Sequence, residues 1–145
     1  MTYVLFRYLH LIAIFALAGG IVIENMATRP RINSEDARNL ARIDAICGLS
    51  VLLLLGFGLI LWFAVGKPAA FYSANPVFLA KLGLFALLLA VASCPALFFF
   101  KHRTFSGELL EVPKLVLFCL RFELVLLVVI PVLAWLMARG VGLSA

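Results

Sequence analysis

Four apolar stretches dominate this chain. Each is near or above the roughly 20 residues needed to cross about 30 Å of hydrocarbon as a helix. No water in a bilayer satisfies the backbone, so each stretch must close its own hydrogen bonds. Composition agrees: 66% of residues are hydrophobic and 13% charged, where a soluble domain is near half apolar and a quarter charged. The 145 residues leave room for one domain. The expected fold class is therefore all-α, an integral membrane four-helix bundle. It forms a single transmembrane domain over 1–145, with helices over about 3–25, 34–65, 76–100 and 113–139.

Local signals set these boundaries. Asn33 reads as an N-cap, with Asp36 three residues on. The polar run Ser34 to Asp44 extends the second helix, and Gly66-Lys67-Pro68 stops it. Phe71-Tyr72-Ser73 suits an interfacial loop. Asn75-Pro76 pairs a cap with a proline at the first helical position. Residues 107–112 read as a short linker, and Pro113 opens the fourth helix. Pro95 and Pro131 lie inside helices, where each removes one backbone hydrogen bond. The first stretch contains Ala16-Leu17-Ala18, which resembles a cleavage site, but the residues before Arg7 carry no basic side chain. We read it as a retained helix.

The net charge is +5. Arg29, Arg31, Arg38, Arg42, Lys101, Arg103 and Lys114 fall in the first and third connections, against Arg7, Lys67 and Arg139 on the other side. The positive-inside rule then puts both termini outside the cytoplasm. Lipid headgroups account for this basic excess, so no nucleic-acid partner is expected. Cys47, Cys94 and Cys119 sit in or beside apolar segments without paired spacing and read as small buried thiols. Trp62, Trp135 and Tyr72 read as interface anchors.

Ionisable residues inside a span are costly, roughly 2.5–3.5 kcal/mol each at the centre on insertion scales. They mark the candidate sites. His10 heads a stripe of Ala13, Leu17, Gly20 and Glu24 that repeats at helical spacing. Small residues there let another helix approach, so His10 and Glu24 should face the interior. His10 either hydrogen-bonds a neighbouring helix or ligates a cofactor. Lys81 lies about 7 Å below the start of the third helix. It either snorkels to the surface or meets an interior partner near His10. Arg121 and Glu123, about 200° apart on one helix, point to nearly opposite faces. With Glu24 and Asp44 they are expected to form an intramembrane polar network. No serine-hydrolase, zinc-protease, nucleotide or dinucleotide motif is present in the sequence.

Tyr8-Leu9-His10 with Gly19-Gly20 and Glu24, Ala37-Arg38 through Arg42-Ile43-Asp44, Phe71-Tyr72 through Asn75-Pro76 with Ala80-Lys81-Leu82, and Ile130-Pro131 with Met137-Ala138-Arg139-Gly140 are the most distinctive runs. In these the chain resembles, over nearly its whole length, the bacterial membrane proteins called domain of unknown function 2214. That resemblance implies a bacterial inner (cytoplasmic) membrane location and supplies no activity. Leu9-His10 and Ala80-Lys81-Leu82 are more loosely similar to HemJ-type protoporphyrinogen oxidases and CopD-type copper-resistance proteins. The HemJ likeness implies haem on His10, with Lys81 as a propionate or tetrapyrrole contact. The chain departs from that pattern in its first loop and at Cys94-Pro95.

Three functional expectations follow. The first is a haem or tetrapyrrole site between the first and third helices, with a redox role; haem and copper remain alternatives at His10. The second is a small transporter or proton-linked carrier using Glu24 and Glu123, as a homo-oligomer because four helices make a thin wall. The third is a structural or accessory membrane subunit.

Overall fold

The computed structural model describes residues 1–141; the last four residues of the expected domain lie outside the described residues. The helices are α1 (Thr2–Ala27), α2 (Ser34–Ile60), α3 (Ala69–Ser73), α4 (Pro76–Lys101) and α5 (Lys114–Ala138). A π-helical turn, Leu61–Val65, continues α2. Four helices, α1, α2 with its π turn, α4 and α5, are long and apolar enough to cross a membrane. The protein is an all-α membrane bundle.

Two segments differ from the sequence reading. Tyr72 and Ser73 belong to the short helix α3 rather than to a loop. The 107–112 linker contains a strand, β2 (Leu110–Glu111), that pairs antiparallel with β1 (Arg31–Ile32). Val112 N–H also donates to the Pro30 carbonyl at 2.9 Å. Two-residue strands carry no periodicity that a sequence can show. The ribbon works because Ile32 and Val112 turn inward, 1% and 6% exposed, and cap the bundle beside Leu40, Phe99 and Leu120.

The caps form as read. Asn33 Oδ1 accepts from Asp36 N–H at 2.7 Å. Asn75 is fully buried, and its Oδ1 accepts from Val77 and Phe78 N–H at the start of α4. Gly66 ends the π turn, and any Cβ there would collide with the Leu61 carbonyl oxygen.

Going round the bundle, α1 packs chiefly on α2 and α4 chiefly on α5. Lighter α1–α5 and α2–α4 contacts close the ring, which leaves α1 and α4 on the diagonal. The outer surface is apolar: Phe15, Leu52, Phe118 and Val128 are each more than 60% exposed. In lipid that surface has no reason to be buried, so helix association rests on close packing and interhelical hydrogen bonds. Gly20 supplies the closest approach. The Cys47 sulfur on α2 occupies the place a Cβ at Gly20 would take. A central apolar band of Ala13, Leu17, Leu54, Leu88 and Leu126 lies between two polar regions.

Candidate functional site

The stripe of α1 faces inward as its spacing requires, with Ala13, Leu17, Gly20 and Glu24 all buried. It delivers Glu24 to a cavity of about 200 Å³ in the half of the bundle nearer the ribbon. Asp44 and Cys47 of α2 and Glu123 of α5 line the same cavity. The α4 wall is apolar or small, with Leu88, Ala92 and Ala96, apart from Ser93. Ser93 Oγ donates to the Ala90 carbonyl of its own helix.

Glu24 and Glu123 are each 2% exposed, and Asp44 is half-buried. The three carboxyls act on one another electrostatically. The Cys47 thiol is the hydrogen-bonding neighbour of Glu24. One oxygen of Glu24 and one of Glu123, both Oε1, are buried without a hydrogen-bond partner. Among the described residues, no lysine, arginine or histidine lines the cavity. An unpaired charge so deeply buried costs several kcal/mol. These groups therefore call for a proton, a cation or water. The space admits several waters. Among the described residues, no group of three or more His, Cys, Asp or Glu side chains is arranged to hold a metal ion.

Arg121 corrects the expected network of Glu24, Asp44, Arg121 and Glu123. The three acids share a cavity, but Arg121 is exposed on the outer side of α5. The reason is the rotation between it and Glu123: with Glu123 buried, a residue two positions earlier must face away. Arg31 and Glu111 form a salt bridge at 3.5 Å on the exposed ribbon, away from the three acids.

The second polar region is at the opposite end. His10 is half-buried and packs on α2, its Cε1 3.4 Å from where a Cβ at Gly58 would stand. The ring has the Leu54 carbonyl as a hydrogen-bonding neighbour, while Nδ1 is buried without a partner. Lys81, on α4, acts electrostatically on His10. Its Nζ stands 4.9 Å from the centre of the Phe78 ring, a cation–π contact. Phe78 belongs to an aromatic group with Trp62 and Tyr72, at 4.9 and 5.5 Å between ring centres. His10 and Lys81 therefore share one end of the bundle, on diagonal helices. His102 lies at the other end, its Nδ1 2.8 Å from the Phe98 carbonyl.

Residues 2–142 match the family model described as "Predicted membrane protein (DUF2214)". The chain belongs to this family. The match spans all four membrane helices. No curated protein and no solved structure matches the chain significantly.

Two contributors escaped the sequence reading. Asn25 Nδ2 donates to Ile21 O at 3.1 Å and, across to α5, to Leu120 O at 2.7 Å. Its place beside Glu24 in an apolar run was the available signal. Cys47 read as a filler but stands between Gly20 and Glu24. Only the pairing of α1 with α2 reveals that.

Proposed function

We propose that this protein is a proton-linked membrane carrier in which Glu24, Asp44 and Glu123 take up and release protons at the internal cavity. One observation carries the reading: three carboxyls from three different helices face one cavity that, among the described residues, no basic side chain lines. A purely structural network would pair such acids with a cation, because removing one partner from a buried pair is strongly destabilising. Ionisable groups kept in a membrane interior are by default functional candidates. The Leu17, Leu54, Leu88 and Leu126 band would act as the barrier between the cavity and the His10–Lys81 end. A second copy would supply the remaining wall of a translocation path. On the charge count, the ribbon end faces the cytoplasm of a bacterial inner membrane and both termini face outward.

The test is flux in liposomes loaded with a pH-sensitive dye. An imposed pH gradient should dissipate faster with protein than without. Glu123→Gln and Glu24→Gln should each slow that flux at least tenfold, since neither amide can carry the proton. Equal rates in wild type and both variants would rule the reading out.

A second reading is haem or a related tetrapyrrole on His10, with Lys81 as its propionate contact and a redox role. The unpartnered Nδ1 of His10 supports it. The tight approach of the ring to Gly58 counts against it, because a tetrapyrrole would have to part α1 from α2. Gently purified protein with a Soret band lost in His10→Ala would favour this reading. No band after haem addition would remove it.

A further inference from the structure

Arg121 is an arginine on the lipid-facing stripe of α5, and no contact among the described residues explains it. On a helix, Lys114, Phe118, Arg121, Val125 and Val128 fall within about 80° of one another. Phe118, Val125 and Val128 are 64%, 54% and 66% exposed, so this stripe is the one lipid touches. Arg121 lies seven residues inside the start of α5, about 10 Å along the axis. A guanidinium there, on the lipid side, is expensive unless it reaches an anion at the interface.

Immediately above it an open groove of about 660 Å³ is lined by Pro30, Arg31, Glu111, Pro113, Lys114 and Leu117. The ribbon and the start of α5 build this groove. Leu117 is one turn before Arg121 on the same side of the helix, which joins groove to stripe. Glu111 pairs with Arg31 at 3.5 Å, so Arg31, Lys114 and Arg121 less Glu111 leave a net charge of +2. The upper part is cationic and polar; the lower part is apolar and faces the acyl chains.

We propose that this groove is a binding site for one anionic phospholipid. Its phosphate is held by Lys114 and Arg121 with Arg31 at the rim, and an acyl chain runs down Phe118 and Val125. Arginine suits the task because its planar fork grips phosphate oxygens in pairs. The site is separate from the carboxyl cavity, which α5 lines with Glu123, about 200° round the helix from Arg121.

The experiment is native mass spectrometry of the delipidated full chain in detergent. It is offered phosphatidylglycerol, phosphatidylcholine or inorganic phosphate. One phosphatidylglycerol should stay bound while phosphatidylcholine does not. Arg121→Ala should weaken retention about fivefold, as expected for one basic group at the membrane surface. Arg121→Lys should keep most of it. Lys114→Ala, outside the hydrocarbon, gives the same reading should Arg121→Ala fail to fold. Arg103→Ala, which removes a cation stacked on Phe100 at the same end of the bundle, should leave retention unchanged. Equal retention of the two lipids, displacement of the lipid by inorganic phosphate, or undiminished binding in Lys114→Ala would overturn the proposal.

Discussion

Gly20 to alanine is the perturbation whose cost follows most directly from the geometry. The added methyl falls on the Cys47 sulfur, the only close atom; the next neighbours, Cys47 Cβ and Ile43 Cγ2, are both 3.9 Å away, ordinary contact distance. Cys47 has one side-chain torsion, and in a helix one of its three staggered positions is nearly closed. The sulfur must either turn toward the cavity, giving up its hydrogen bond with Glu24, or push α1 and α2 slightly apart. Overpacking of this kind costs about 1–3 kcal/mol, and the higher helix propensity of alanine returns up to about 1. Gly20→Ala should therefore destabilise by up to about 3 kcal/mol, and by about 1 at the middle of both ranges. Cys47→Ala removes the obstructing atom, and in that background Gly20→Ala should be neutral or stabilising by up to about 1 kcal/mol. The double-mutant cycle then gives a coupling of about 1–3 kcal/mol. Unfolding in detergent–dodecyl sulfate mixtures, followed by far-UV circular dichroism, measures all four proteins. An equal effect of Gly20→Ala in both backgrounds, or none in either, would refute the α1–α2 register and the position it gives Glu24.

Two further outcomes follow from the same coordinates. Asn75→Ala removes the buried cap of α4 and should lower stability by about 1 kcal/mol in the same assay, with Asn75→Asp retaining most of it, because either oxygen can accept from Val77 and Phe78 N–H. Asn25→Ala breaks the 2.7 Å bond from α1 to the Leu120 carbonyl and should cost about 0.6 and at most about 1.7 kcal/mol, the average and maximum for interhelical hydrogen bonds in a membrane bundle.

The four spans were legible because hydrocarbon thickness imposes a length that few sequences meet by accident. Asn33, Asn75 and Gly66 were legible because each acts within a few residues of itself. The inward face of Glu24 followed from spacing along a single helix. What the sequence could not show is which helices are neighbours. Apolar residues surround every span, so no polar face marks the outside, and the diagonal placement of α1 and α4 emerges only from packing. That is why Arg121 was assigned to the acids although its own angular distance from Glu123 argued otherwise. It is also why Cys47, one of three outwardly equivalent thiols, was not set apart. The ribbon of two-residue strands lies below the length at which alternation can be recognised.

The central claim is that the acids around the cavity exchange protons. Infrared spectroscopy of the protein in lipid reads this directly, because a protonated carboxyl has a C=O stretch that shifts when its hydrogen is replaced by deuterium. The wild type should show such a band, responsive to pH and to deuterated buffer, and it should lose intensity in Glu24→Gln and again in Glu24→Gln with Glu123→Gln. A spectrum with no exchangeable carboxyl band, or one identical in wild type and the double variant, would contradict the account.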